Sequence, residues 1–214
     1  MSAFQIRISR RSFLQAAGLT ALAGGLAACG STAQSTAPSA SAPAYSLEDA
    51  VKAEFTDSGI TLSPENASGC TVEGTVLTIA AAGTYAVSGS CADGSIQIRK
   101  GTEDVTLVLN GLTLTSTTTA PLVCGKSSGV TLAAAEGTEN TLTDGEANNK
   151  DNANASEDAE SAVVKCKDGS QVVLCGTGTL NLHAVGKNGI KSGTTEEDRD
   201  ASLTIRALTL NIDA

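Results

Sequence analysis

Three sets of polar side chains recur along this chain, and each is of a type that can hold a ligand. Lys126, Lys167 and Lys191, with Arg99, Lys100 and Lys165, are cations at or just after successive copies of one short apolar segment. Ammonium groups aligned on neighbouring strands, about 4.8 Å apart, repel one another by about 1 kcal/mol even in water. They therefore either face an anionic ligand or line a solvated edge. Asn181 and Asn211 continue a column begun by Thr113 and Thr141 in another repeated segment. Amides and hydroxyls both donate and accept, as recognition of a polyhydroxylated ligand requires, and the same residues also suit a merely solvated strand face. Asp144, Asp168 and Asp198, with Asp200 and Asp213, stand at turns or strand ends, where carboxylates either converge on a hard cation or stay solvated.

Other chemistries are excluded by composition. His183 is the only histidine, so a Ser-His-Asp apparatus or a multi-histidine metal centre is ruled out of consideration. There is no Trp, and aromatic residues make up 2% of the chain, which disfavours binding by stacking on flat side chains. Beyond the N-terminal segment only Tyr45, Phe55 and Tyr85 are aromatic.

The elements that position these groups are short strands. From Val76 onward the sequence is Val, Ile, Leu and Thr in alternation, cut by Gly, Asn and Asp. Three registers repeat. The first contains Val105, Val130, Val172 and Leu203 at its start; the second is Gly111-Leu-Thr-Leu-Thr, Glu139-Asn-Thr-Leu-Thr, Thr179-Leu-Asn-Leu-His and Thr209-Leu-Asn-Ile-Asp; the third aligns Ile96-Gln-Ile-Arg, Pro121-Leu-Val-Cys, Val163-Val-Lys-Cys and Gly189-Ile-Lys-Ser. First-register spacings are 25, 42 and 31 residues, and the long interval holds the polar insert Glu146 to Glu160. A repeat of about 25 to 30 residues with three short strands is what stacked coils need, because no coil buries its inner face alone. The expected fold is all-β, a parallel β-helix solenoid with three short strands per coil. A β-sandwich also offers many short strands, but without the three matched registers. Leu112, Leu114, Leu142, Leu180, Leu182, Leu210 and Ile212 are expected to face inward, and Thr113, Thr141, Asn181 and Asn211 outward. An earlier partial coil at Val76 to Ile79 and Thr84 to Val87 extends the stack. Leu47, Val51 and Phe55, four apart, predict one short helix over 47–55. The chain ends at Asn211-Ile-Asp-Ala inside a strand register and without a polar cap, which reads as a stack cut short.

The N-terminal 29 residues read as an export signal. Arg10-Arg11 precedes a short apolar run, Ala16 to Ala28, that ends in Leu-Ala-Ala-Cys29, similar to a twin-arginine lipoprotein signal with Cys29 as the lipidated residue. The run is too short to span a bilayer as a finished helix. Residues 30–44 are Ser, Thr, Ala, Gly and Pro with one Gln, a tether; 45–62 form a lead-in, and 63–214 the main domain. The expected location is the outer side of the cell membrane, held by lipid alone. Cleavage leaves 11 basic against 23 acidic side chains, a net charge near −12, which excludes nucleic acid as a partner. A monomer is expected. Five cysteines remain, Cys70, Cys91, Cys124, Cys166 and Cys175; Cys124 and Cys166 both precede a first-register valine by six residues and should stack, as a disulfide or as buried thiols.

The ordered motifs Gly83-Thr-Tyr-Ala-Val-Ser-Gly-Ser, Val105-Thr-Leu-Val-Leu-Asn-Gly-Leu-Thr-Leu, Glu136-Gly-Thr-Glu-Asn-Thr-Leu-Thr-Asp, Gly176-Thr-Gly-Thr-Leu and Asn188-Gly-Ile-Lys-Ser resemble bacterial carbohydrate-binding domain-containing surface proteins, similar in fold to pectate lyases. The resemblance implies a right-handed β-helix that binds an acidic plant polysaccharide such as polygalacturonate, with calcium. On that reading Lys126, Lys167 and Lys191 meet uronate carboxylates, Asn181 and Asn211 bond sugar hydroxyls, and Asp144, Asp168 and Asp198 are the candidate calcium ligands. Two alternatives stand beside non-catalytic binding. One is a calcium-dependent polysaccharide lyase with Arg99, Lys191 or Arg206 as base; the other is a structural adhesin or spacer without a glycan.

Overall fold

The computed structural model describes residues 5–8 and 45–214. The expected export signal, the Cys29 lipidation site and the tether therefore lie outside the described residues, apart from the backbone of Gln5–Ile8, which pairs with Thr209–Ile212. The described residues are all-β, with one 3-10 turn at Glu146–Asn148.

Two sheets carry three parallel ladders, and the registers fall where the repeats predict except at one strand of the third, where Ile96 is level with Leu122 and not with Pro121. In the first ladder Gly83, Val105 and Val130 are level, followed by Val172 and Leu203. The second stacks Thr113, Thr141, Asn181 and Asn211. The third stacks Leu77, Ile96, Leu122, Val164 and Ile190. Pairing in register turns a repeat along the chain into a column in space, so alternate residues of every strand enter one shared interior. Leu107, Leu132 and Leu174 fill it from the first ladder, Leu114, Leu142 and Leu182 from the second, and Leu77, Ile96 and Leu122 from the third. Each such side chain contributes about 1.5–3 kcal/mol of transfer free energy on burial.

Where ladders meet, the corners are specified by polar and glycine residues. Asn140 lies in an inward column below Leu180 and is fully buried. Its Oδ1 accepts the N–H groups of Gly111 and Leu112 at 2.9 and 3.0 Å, and its Nδ2 donates to Thr138 Oγ1 and the Thr179 carbonyl at 3.0 and 3.1 Å. A buried amide with every valence used holds the bend of Val105–Ser116, which, like Gly83–Cys91 beside it, belongs to two ladders. After the third ladder the same four-residue turn closes three times, with Thr102, Ser128 and Ser170 each donating their N–H to the carbonyl three residues back.

Antiparallel strands lie at the N-terminal end of the described stack, where Val51–Thr56 pairs with Gly59–Ser63 and Cys70–Glu73 with Val76–Ile79, and an isolated antiparallel bridge joins Glu196 to Arg199. The helix expected over 47–55 is not there: Val51–Thr56 is a strand on Gly83–Cys91. Ala53 and Phe55 are buried while Lys52, Glu54 and Thr56 are exposed, a period of two that the spacing of Leu47, Val51 and Phe55 concealed. Tyr45 and Leu47 pack instead on the outer face of the first ladder, over Ala86, Val108, Ala133 and Cys175. That outer column is apolar because it is covered.

All five described cysteines are buried free thiols. Cys124 and Cys166 are level, as expected, in the inward column that holds Ile79 and Ile98 above them. Their mutual hydrogen bond and burial push the Cys124 thiol well up, while the same bond holds Cys166 down. Thiols thus take the place of apolar side chains in this column.

Candidate functional site

Three surface features stand out, the last of them on the polar insert, which leaves the second ladder at Asp144 and enters the third at Val164. The first is the outer face of the second ladder. Thr113, Thr141, Asn181 and Asn211 form one column, and Thr115, Thr143, His183 and Asp213 the next. Asn211 Nδ2 donates to Asn181 Oδ1 at 2.7 Å, and Asn181 Nδ2 donates to Glu139 Oε1 at 2.9 Å. The expected amide pair is therefore brought together and oriented, with a flat field of hydroxyls beside it. Parallel stacking spaces these groups about 4.8 Å apart along the column.

The second feature is the cluster of lysines, and here the structure revises the expected column. Cys124 and Cys166 are level, so Lys126, two residues on, and Lys167, one residue on, are out of phase. Both are also engaged: Lys126 pairs with Glu196, and Lys167 with Glu160 at 2.7 Å. The pair that is in register is Lys165 and Lys191, on adjacent strands in the outward column that begins Gln97 and Val123. Among the described residues neither has an acidic partner within ion-pair distance. Burial and the neighbouring Lys191 charge hold Lys165 below the usual lysine range, against the opposing pull of Glu160 and Asp168. Two facing ammoniums of this kind gain by taking a carboxylate between them.

The three aspartates expected to share a cation are not brought together. Asp144 is buried between the second and third ladders, with Oδ2 accepting from Asn148 Nδ2 at 2.8 Å and Oδ1 from the Gly186 N–H at 2.9 Å. Asp168 stands at another corner, after the third ladder. The N–H and hydroxyl of Thr194 hold its carboxyl below the ordinary range, and the Lys165 and Lys126 charges add to this. Asp198 is exposed in the turn between Glu196 and Arg199. Among the described residues no group of three or more His, Cys, Asp and Glu side chains is placed to hold a metal ion. Asp144 and Asp168 work as staples for turns and Asp198 stands alone, so the three do not form a calcium cage. The three bases considered for a lyase are likewise scattered: Arg99 and Lys191 lie on distant rungs of the third ladder, and Arg206 follows the first.

The third feature went unread in the sequence beyond its length. The insert is pinned by Asn148, whose Nδ2 also donates to the Ala162 carbonyl at 2.9 Å and whose Oδ1 accepts the Glu160 N–H at 2.6 Å. Asn152 Nδ2 reaches the Glu146 carbonyl at 2.8 Å, and Lys187 pairs with Asp151. Between the insert and Val185-Gly186 lies a cavity of about 600 Å3. The signal for it was the concentration of asparagines in a segment that interrupts the repeat, since scaffolded loops carry function more often than the scaffold does.

The geometry is thus a polar, amide-rich and cation-bearing exterior on a stacked β scaffold. Comparison with known proteins agrees with it. The family of carbohydrate-binding domain-containing proteins matches residues 73–214. A carbohydrate-binding domain-containing protein of Acetivibrio thermocellus is 27% identical over 147 residues, covering 68% of this chain and 50% of the relative. The chain thus spans about half the length of the curated relative it matches. No solved structure matches significantly. With most of the chain matched, from the third-ladder hairpin to the last strand, the protein belongs to the carbohydrate-binding domain-containing family.

Proposed function

We propose that this chain is a non-catalytic binding module for a uronate-bearing polysaccharide, displayed at the cell surface on a right-handed parallel β-helix. The observation that carries the reading is the level pair Lys165 and Lys191, two ammoniums with no carboxylate within ion-pair distance among the described residues, while the amide and hydroxyl face is presented by the other sheet. One uronate carboxylate bridges the pair, and neighbouring sugar hydroxyls bond Asn181, Asn211 and the threonines. The β-helix reading is supported by three ladders in phase, and its hand by the resemblance alone. Binding is not routed through calcium, because Asp144 and Asp168 are engaged by protein donors and Asp198 stands apart from them.

Partly exposed charge pairs contribute about 0–1 kcal/mol each, so the two lysines together set about a tenfold effect. Lys165→Gln with Lys191→Gln is expected to weaken retention on polygalacturonate about tenfold and to flatten its dependence on salt. Wild-type retention on a neutral β-glucan is expected to stay low, and adding calcium or a chelator to leave both values unchanged. Equal retention by wild type and double variant sinks the uronate reading, and growth of ultraviolet absorbance from unsaturated product would replace it with a lyase.

Surface display rests on the N-terminal sequence, Arg10-Arg11 and the Leu-Ala-Ala-Cys29 ending. Mass spectrometry of detergent-extracted protein is expected to find a diacylglyceryl group on Cys29, and none in Cys29→Ser. An unmodified, soluble wild type would discard lipid anchorage.

A further inference from the structure

We infer that the cavity between the insert and Val185 is a second carbohydrate site, one that takes a neutral sugar. It requires the family's glycan-binding character but not the uronate specificity proposed above, and its lining includes neither Lys165 nor Lys191.

Its lining is suited to such a ligand. Asn149, Asn152 and Asn154 supply amides, and Glu146 a carboxylate. The Asn154 amide and the Glu146 carboxylate have no side-chain hydrogen-bond partner among the described residues, so both remain available to a ligand. Sugar hydroxyls donate and accept at once, and a mixed set of amides and one carboxylate answers both needs. The floor is apolar. Val185 is the exposed large hydrophobic residue of the described chain, 55% accessible, and it lies in this cavity with Gly186. A valine can cover the apolar C–H face of a pyranose where no aromatic ring is present, and doing so removes apolar surface of both partners from water.

Charge decides which sugar. Glu146 lines the cavity and no lysine or arginine does, while Lys187, next to Gly186 in the chain, is already paired with Asp151. A uronate would meet uncompensated repulsion here, whereas a neutral hexose or pentose would not. The volume, about 600 Å3, is in the range of small-ligand sites and leaves room for a disaccharide. The walls are set in place by Asp144, which holds both Asn148 and Gly186, and Gly186 must lack a side chain because a Cβ there would lie 2.7 Å from Asp144 Oδ2. A cavity held before binding spares the ligand the cost of ordering it. The two sites together would suit a polysaccharide with an acidic backbone and neutral branches.

The test is titration of the full chain with cellobiose, galactobiose, mannobiose and xylobiose, and with digalacturonate as the charged counterpart, followed by amide and methyl NMR. At least one neutral disaccharide is expected to shift the side-chain amides of Asn149, Asn152 and Asn154 and the Val185 methyls in a saturable way. Digalacturonate should leave these signals in place and perturb the surroundings of Lys165 and Lys191. Asn154→Ala and Val185→Asp, both at exposed positions, are expected to weaken the neutral sugar at least about fivefold without changing retention on polygalacturonate. The inference is overturned if none of the four neutral disaccharides moves these signals, if digalacturonate saturates the cavity, or if both variants bind as wild type. Loss of polygalacturonate retention with intact neutral-sugar binding would refute the uronate reading and leave this site standing.

Discussion

Replacing Gly176 by alanine is expected to cost about 3–5 kcal/mol, a large share of the roughly 5–15 kcal/mol that holds a typical protein folded. Gly176 ends the strand Gln171–Gly176 with a φ of +109°, a conformation that side chains rarely adopt. A Cβ built there would lie 2.1 Å from the Ala134 carbonyl oxygen and 2.7 Å from its nitrogen. Those are backbone atoms of the preceding rung, and the same carbonyl accepts the Gly178 N–H at 3.2 Å, so relief requires opening the ladder. Gly137→Ala supplies the comparison. Its φ is +69° but nothing lies within 4 Å of the added carbon, so only the left-handed backbone penalty of about 1–2 kcal/mol remains. Urea midpoints of the two variants separate steric from conformational cost. Similar shifts for both would show that adjacent rungs are not in the tight register described.

Asp144→Ala should have the next largest effect, about 2–4 kcal/mol, concentrated in the insert. Removing the carboxylate leaves the buried Asn148 amide short of one acceptor and the Gly186 N–H with none, and each orphaned buried donor costs about 1–3 kcal/mol. The two donors belong to segments on either side of the third-ladder strand Val164–Cys166, so one carboxylate joins the insert to the loop carrying Val185. Hydrogen exchange is expected to accelerate across 146–161 and 184–188 before the three ladders are affected, and the cavity with its sugar binding should be lost. Asp144→Asn, which keeps the shape but turns a donor towards one of the two N–H groups, should fall between. Unchanged protection of the insert in Asp144→Ala would mean that the Asn148 contacts to Ala162 and Glu160 suffice to hold it.

Much of the architecture was legible in the chain because parallel pairing in register converts period directly into position. Val105, Val130, Val172 and Leu203 share a rung position, Cys124 sits on Cys166, and Asn181 on Asn211, each as the repeat demanded. The same rule explains the inward leucines and the outward threonines. Legibility failed where a residue's neighbour comes from outside the repeat. Lys126 and Lys167 looked available because Glu196 and Glu160, which neutralise them, lie in a long turn and in the insert. Asp144 looked like a metal ligand because its two donors are 4 and 42 residues away in irregular segments. Phe55 looked helical because Leu47 and Val51 share its spacing, yet the edge offered by Gly83–Cys91 made a strand of that stretch and left Leu47 to cover the sheet from outside.

By itself, then, the sequence determined the all-β class, the three registers and which faces turn inward, since these depend on periodicity and on apolar burial repeated rung after rung. Tertiary structure alone decided which charges stay free, where the insert folds back and where a cavity opens. Those depend on single contacts between non-repeating segments, and no period encodes them.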